Sequence, residues 1–275
     1  GDIAEVKSGK RLPKGEGLVS SVTPYPYIRL VDISEGRIRK SKLQYLKPQI
    51  REKIRRYIVN SGDVCFAIVG HTIGMVFYVE DDFDGVNLTE NAARSTNISN
   101  EYESKFLYYY FISNEGQQNI ISRNVGSAQG KLPLYNIKSM KVPKPSVSTQ
   151  KSIAHILGTL DDKIEINRKM NETLEGMAQA LFKSWFVDFD PVIDKALAAG
   201  NPIPEPFKKR AAARKQLGNK RKPLPTDIAK HFPDSFMLDE EMDWIPEGWE
   251  TIPVYNVATF INGAAFKGRH FSIDK

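Results

Sequence analysis

The sequence predicts an α+β protein: a mixed α/β domain followed by a long coiled-coil-type helix. Three observations lead to that expectation. Short apolar runs bounded by Gly or Pro, "YPYIRLVDI" (25–33), "GDVCFAIVG" (62–70) and "GMVFYVE" (74–80), have the length and composition of strands. "YESKFLYYYFISNEGQQNIISRN" (102–124) has helical length, with Phe106, Tyr109, Tyr110, Ile112 and Ile120 recurring at three- to four-residue spacing. Finally, the chain from Lys151 to Asp190 holds no proline and carries a broad apolar stripe.

These elements divide the chain. Residues 1–148 form the first domain, closed by "MKVPKPSVST" with Pro143 and Pro145, after which Ser148 or Thr149 is placed to cap a helix. That helix occupies 149–190. Counted in heptads from Ile153, one core row is Ile153, Leu160, Asn167, Leu174 and Leu181. A second row holds Ile156, Met170 and Met177 with Lys163 and Ser184, and a third, Leu157, Ile164 and Trp185 with Asn171 and Ala178, flanks them. Roughly 40 residues at about 1.5 Å each make a rod of about 60 Å. Burying each large side chain of the stripe contributes about 1.5–3 kcal/mol, so a partner helix is expected; Asn167 either sets its register or is a solvent-exposed irregularity of the stripe.

Pro191 is expected to end the rod. Residues 191–235 hold seven of the sixteen prolines, and ten Lys/Arg lie between 195 and 230, so 191–245 reads as a Pro/Lys-rich connector. One short helix is expected near Phe207–Leu217, and the basic cluster reads as a solvated run rather than a nucleic-acid contact. Residues 246–275 read as the start of a second domain, because Val254–Gly268 parallels Gly1–Gly15 at an offset of 254. Ala258 meets Ala4, Gly263 meets Gly9, and Val257, Phe260 and Phe266 meet Ile3, Val6 and Leu12.

At 41% hydrophobic and 26% charged, 275 residues suffice for one large domain or two ordinary ones. The net charge of +6 favours a polyanionic partner only weakly, but its distribution says more. Residues 1–60 hold 14 Lys/Arg against 6 Asp/Glu, 61–125 hold 3 against 9, and 126–150 hold 4 against none. Such separation suits a domain with one basic face. Cys65, the lone cysteine, can form no internal disulfide and sits in an apolar run, as in a buried strand of a cytoplasmic protein. No apolar run approaches eighteen residues, so no membrane span is expected. The opening "GDIAEV" has neither Met nor a signal-peptide pattern, so the chain reads as trimmed or as part of something longer.

Neither a catalytic nor a metal-binding constellation is expected. His71, His155, His231 and His270 lack ligand spacing, and one cysteine completes no zinc site. "GSAQGKL" has three residues between its glycines where a phosphate loop needs four, and Leu132 stands where Ser or Thr would bind Mg²⁺. With no G-x-G-x-x-G after a strand and no G-x-S-x-G, the dinucleotide, methyl-donor and nucleophile-elbow readings fail. Asp188 and Asp190 are expected at a helix C-terminus, where the dipole disfavours them, and so held by partners. Asp161 and Asp162 read as surface.

Binding chemistry remains. Lys7, Lys10, Arg11 and Lys14 lie in a Gly/Pro-rich loop suited to tracking phosphates. Arg123, Asn124, Ser127, Gln129 and Lys131 populate a second, Gly-rich loop, where amide side chains can read adenine and cations guanine. "VGHTIG" presents His71 and Thr72 in a tight loop between two strands. Three polar loops on one small domain point to recognition of duplex DNA.

"TQKSIAHILGTLDDKIEINRKMNETLEGMAQALFKSWFVDFDPV" closely resembles the central conserved region of the specificity subunits of type I restriction–modification systems. "YPYIRLVDI", "GDVCFAIVG", "TIG" and "GSAQGKLPLYNIKSMKVPKP" resemble the landmarks of their target-recognition domains, and "FPDSF…WIPEGWE" the lead-in to a second one. The resemblance implies a non-catalytic subunit in which two such domains each read half of a split DNA target. Two long helices pair antiparallel as a ruler and dock the methylation subunits. S-adenosylmethionine and ATP would reside on partners, the methylation and restriction subunits, and this chain would need no cofactor. Because it stops at Lys275, a homodimer through residues 153–185 is expected to supply the missing helix. Three alternatives stay open: an accessory S-like subunit of another type of methylation system, the recognition part of a single-chain methyltransferase, and a coiled-coil scaffold with no DNA role.

Overall fold

The computed structural model describes residues 3–126, 130–218 and 224–263. The chain divides into two compact units, Gly1–Ile166 and Asn167–Lys275, with one helix continuous across the division. In the first unit the strands are β1 (Glu5–Ser8), β2 (Pro26–Ile28), β3 (Ile33–Ser34), β4 (Arg37–Ile38) and β5 (Gln44–Tyr45). Helix α1 (Pro48–Lys53) leads to β6 (Val64–Ala67), β7 (Val76–Tyr78), β8 (Asn87–Leu88) and β9 (Ala92–Thr96). Then follow α2 (Ser104–Ile112), α3 (Asn114–Ile121), α4 (Leu134–Lys138) and α5 (Val147–Phe182).

The central sheet has the order β1-β9-β6-β7 and is antiparallel throughout. All four residues of β6 are buried, which is why its sequence is a continuous apolar run rather than an alternating one. Side chains still alternate between two cores. Val64 and Phe66, with Val6, Val76 and Ala93, pack under α2 and α3, where Phe66 meets Phe111 edge to face at 4.9 Å. Cys65, Phe77 and Ala92 face Ile28, Ile33, Val59, Val86 and Leu88 on the other side. Against that second face lie the small sheet β5-β2-β8 and the β3–β4 hairpin. Cys65 is fully buried, as its neighbours indicated.

Two elements depart from the sequence expectation. "YPYIRLVDI" is not one strand, because a 3₁₀ turn at Leu30–Asp32 interrupts it after Ile28. Buried Asp32 accepts bonds from the Arg29 backbone N at 2.8 Å and from Nε at 3.0 Å, which curls the chain. The helix expected over 102–124 is two helices. Ser113 takes an extended ψ of 165° and its Oγ accepts from Gly116 N at 3.3 Å, capping α3. Gly116 lets the two helices meet, since a Cβ there would lie 2.0 Å from Tyr110 O.

Helix α5 starts at Val147, and its cap is Ser146, whose Oγ accepts from Thr149 N at 3.2 Å, rather than Ser148 or Thr149. Its 36 residues span about 54 Å. The first four turns have two faces. Gln150, Ala154 and Gly158 are buried against the domain, with Ile153 and Leu157 half-buried beside them. Gln150 Oε1 accepts from Glu103 N at 2.9 Å, while its Nε2 donates to the carbonyls of Glu101 and Pro145 at 3.0 and 2.9 Å. One turn on, Tyr109 Oη donates to Asp161 at 2.9 Å, Arg37 reaches Asp162 at 3.1 Å, and Arg39 grips both oxygens of Glu165 at 2.7 and 2.8 Å. Asp161 and Asp162 thus hold the helix to the domain, Asp162 from an exposed surface position as expected. Ile156, Leu160, Ile164, Met170, Leu174, Met177 and Leu181 form the opposite stripe, each between 48% and 63% exposed, and Asn167 on it is exposed too.

In the second unit Pro191 does not end the long helix. The helix widens into a π turn at Lys183–Val187 and stops where Phe189 adopts a left-handed φ of 51°. Pro191 instead stands in the first turn of α6 (Asp190–Ala199), where its missing N–H costs nothing. The expected connector is folded: α7 (Lys208–Leu217), α8 (Thr226–Ala229) and the hairpin of β10 (Phe236–Asp239) and β11 (Asp243–Pro246) follow, then α9 (Val254–Val257). The short helix expected near Phe207–Leu217 is α7. Val192, Ile193, Ala196, Ala211, Phe232 and Ile245 are buried, and aromatic rings cluster beside them: Trp185 meets Phe232 at 5.7 Å, Phe186 meets Trp249 at 6.0 Å, and Phe207 stacks on Phe236 at 4.9 Å. Thr259–Asn262, which the offset sets against β1, are exposed coil, and Phe266 lies outside the described residues. Among the described residues no helix is long and apolar enough to cross a membrane.

Gln150→Ala should lower stability by on the order of 2–4 kcal/mol in urea unfolding, because it strands one buried amide and two carbonyls at once.

Candidate nucleic-acid interface

Strand directions bring the three polar loops to one end of the central sheet. β1 and β6 both finish opposite the start of β9, with Ser8 paired to Ala93 and Ala67 to Ala92. Beyond those pairs, Gly9 N donates to Ala92 O at 3.0 Å, Lys10 N to Leu88 O at 2.9 Å and Ile68 N to Asn91 O at 2.9 Å. Gly70 N donates to Gly130 O at 2.9 Å, and Val69 bridges Lys131. The loops after β1, between β6 and β7, and after α3 are thus hydrogen-bonded around the loop that enters β9.

The expected residues differ in how free they are. Lys14 is exposed in a turn made by Gly15 at φ 84°, and His71 is exposed on the 3₁₀ turn Gly70–Thr72. Lys10 is exposed, with its ammonium 5.5 Å from the centre of the Tyr57 ring. Arg11 projects outward and pairs through Nε with Glu90 at 2.6 Å. Lys131 is exposed while its backbone exchanges two 2.8 Å bonds with Val125. Asn124 is exposed and its amide packs on Gly130, where a Cβ would lie 2.8 Å away. Others are occupied within the chain. Lys7 is on β1 rather than in the loop, because pairing with β9 extends it, and it meets Glu5 at 2.5 Å. Thr72 Oγ1 donates to Val69 O at 2.8 Å to close its own turn. Arg123 Nη1 donates to Asn119 O at 2.9 Å, which ties it to α3. Ser127 and Gln129 lie outside the described residues.

The loop end also holds residues that motif reading missed. Glu90 and Asn91 precede β9 and touch two of the loops. Tyr57 sits beneath Lys10 and follows α1, whose neighbourhood supplies exposed Lys53, Arg55 and Arg56. The excess of cations over residues 1–60 was their signal in the sequence. The acidic segment leaves by the other end: β7 runs away from the loops into Glu80, Asp81, Asp82 and Asp84. Arg37 bonds Glu80 there while also reaching α5, so the helix is gripped on the side remote from the loops.

The family model described as type I restriction modification DNA specificity domain matches residues 1–176. The chain belongs to that family. A type I restriction enzyme HindI specificity subunit of Haemophilus influenzae is 30% identical over 224 residues, which cover 74% of this chain and 49% of the relative. A MjaIX specificity subunit of Methanocaldococcus jannaschii is 39% identical over 88 residues, 32% of this chain and 20% of its own length. The chain thus spans about half the length of the first of these relatives and less of the second. The solved S subunit from M. genitalium aligns with a TM-score of 0.43 at 20% identity, over 67% of this chain and 46% of that one. The HsdS subunit from Thermoanaerobacter tengcongensis has the same score at 15% identity, over 66% and 46%.

Within this specificity-family chain the two carboxylates at the foot of α5 have partners. Asp188 pairs with Lys183 at 2.6 Å and Arg210 at 3.0 Å; Asp190, nearly fully buried, takes Arg210 Nε at 2.6 Å, Arg214 at 3.0 Å and Ser184 Oγ at 2.6 Å. Asp190 also begins α6, so the dipole it feels is favourable, not the adverse one expected at a helix C-terminus. Arg210 and Arg214 of the basic cluster are committed to this network, and "NKRK" lies outside the described residues. Trp185, placed by its heptad position on the pairing stripe, packs on Phe232 instead, and Ile153 and Leu157 pack on the domain. Among the described residues no group of three or more His, Cys, Asp or Glu side chains is placed to hold a metal ion.

Burial would raise the Asp190 carboxyl, but the bonds from Arg210 and Ser184 and the charge of Arg214 outweigh it and hold it below the ordinary carboxylate range. A folded-state pKa below the unfolded one stabilises fully above about pH 4, and that contribution is lost as pH falls through the folded value. Asp190→Asn should therefore cost about 1.5–3 kcal/mol at pH 7 and flatten the acid limb of stability against pH, read by urea unfolding between pH 3 and 7.

Proposed function

We propose that this chain is a non-catalytic DNA-recognition subunit of a type I restriction–modification complex, reading one half of a bipartite target with the loop end of its first unit. The convergence of three polar loops around the entry to β9 carries this reading, with exposed Lys10, Lys14, His71 and Lys131 on the loops and the acidic segment at the far end. Cations at such an end neutralise phosphates and set orientation, while shorter polar side chains reach base edges. S-adenosylmethionine and ATP belong to the methylation and restriction subunits in this reading, which also places the complex in the cytoplasm.

Helix α5 supplies the ruler. Its domain-facing side is occupied, so its seven exposed apolar residues are available to a second helix, here that of another copy, and burying each contributes about 1.5–3 kcal/mol. The paired helices then fix the distance between two reading heads and offer a surface to the methylation subunits.

Selection from a randomised duplex library, with the chain alone and with its methylation subunit, should enrich a short defined motif. Replacing Lys10, Lys14 and Lys131 together by Ala should weaken all sequences alike and reduce the slope of log affinity against log salt by about 0.9 for each phosphate that is no longer neutralised. Unchanged affinity and slope would remove these loops from the interface. Light scattering at micromolar concentration should give a dimer, and Leu160→Asp with Leu174→Asp a monomer of unchanged helix content. A wild-type monomer refutes the helix pairing and leaves the reading end untouched.

A further inference from the structure

We propose that Arg11 reads a guanine in the major groove and that Glu90 is the positioning residue that aims it, an inference resting on the DNA-reading function above. Arg11 is held through Nε, which donates to Glu90 Oε1 at 2.6 Å, while its side chain stays 79% exposed. The two terminal nitrogens make no hydrogen bond among the described residues. They leave an end-on fork whose spacing matches the O6 and N7 acceptors of guanine. Other arginines here spend that fork internally: Arg39 on Glu165, Arg214 on Asp190 and Asp194, Arg29 on Asp32 and Gln44.

Glu90 is itself anchored. Thr89 Oγ1 donates to Glu90 Oε2 at 3.1 Å, leaving the other oxygen for Arg11. Burial would raise the Glu90 carboxyl, but the bonds from Arg11 and Thr89 outweigh it and hold it below the ordinary range, so it is ionised at neutral pH. The two backbones that carry the pair are locked to each other. Gly9 N and Lys10 N bond to Ala92 O and Leu88 O, and Tyr27 Oη donates to Lys10 O at 2.7 Å. Gly9 permits that approach, since a Cβ would lie 2.0 Å from Thr89 O.

An exposed ion pair contributes little to stability, so its value at this end of the sheet is geometric. A free arginine has many rotamers to lose on binding; one already fixed at Nε loses fewer, which favours the correct base without adding contacts. Glu90 also removes one net positive charge from the loops, which lowers affinity for arbitrary duplex and so widens the gap between right and wrong sequences.

The test is duplex-library selection with the full chain and its methylation subunit, comparing wild type, Arg11→Ala and Glu90→Gln, beside thermal melting of each. The wild-type motif should contain one guanine whose preference falls about ten-fold or more in both variants, with the other positions unchanged. Glu90→Gln should melt normally and bind non-specific duplex at least as tightly as wild type. Uniform weakening by Arg11→Ala, with an intact motif and a salt slope lower by about 0.9, would make Arg11 a phosphate-binding residue and overturn the proposal. Loss in Glu90→Gln of a cytosine preference that Arg11→Ala keeps would overturn it too, since Glu90 would then read a base itself. An identical motif from all three proteins sinks this inference alone. No motif from wild type sinks the DNA reading with it.

Discussion

Strand β9 is hydrogen-bonded on both sides, to β1 and to β6, and the loops gather at one end of the sheet because of it. Antiparallel pairing makes both neighbours end where β9 begins, so their outgoing loops emerge beside its incoming one. A one-residue slip would reverse which residues face each core and would pull Arg11 away from Glu90. The register is held from within: Phe66 and Val64 fill one core, and Cys65 and Ala92 the other, so no slipped pairing buries the same side chains. The loops themselves need little order of their own, because carbonyls at 88, 91 and 92 tie two of them to the sheet's rim.

The same unit holds α5 at its other end by a different chemistry. Small residues Ala154 and Gly158 allow close approach, Gln150 replaces three backbone partners, and carboxylates at 161, 162 and 165 answer a tyrosine and two arginines. This leaves the apolar side of the helix outward. The helix docks by its polar and small side and presents its apolar side, which distinguishes it from an ordinary surface helix whose apolar face looks inward. The start of α5 is thus held to the domain by ion pairs and hydrogen bonds, which are directional.

The foot of the helix shows how a stop is made without a breaker. Lys183–Val187 widens to a π turn, Phe189 turns left-handed, and the buried Asp190 closes the corner by drawing in Arg210, Arg214 and Ser184. Three carboxylates, at 188, 190 and 194, and two arginines form a network in which each charge has a partner, so a segment that looks like a soluble basic tail by composition folds as a unit.

Much was determined by the sequence itself. The double-faced burial of "VCFA", the absence of proline from 151 to 190, and the excess of cations in the first 60 residues are local or compositional properties, and they fix the central strand, the long helix and the basic region. Boundaries were less legible where one side chain outweighs propensity: Ser113 splits a helix, Asp32 curls a strand, and Pro191 starts a helix rather than ending one. The candidate site at the loop end was only half visible. Lys10, Arg11 and Lys131 stand out in Gly-rich loops, but Glu90, Asn91 and Tyr57 carry no motif and join them only through strand pairing across tens of residues. Which face of α5 is used was likewise decided by tertiary structure. Heptad positions place Ile153, Leu157 and Trp185 on the stripe, yet packing partners distant in the chain claim all three. Periodicity records that a face is apolar; only the folded chain determines what covers it, because hydrophobic attraction has no direction and takes the surface that the rest of the fold brings near.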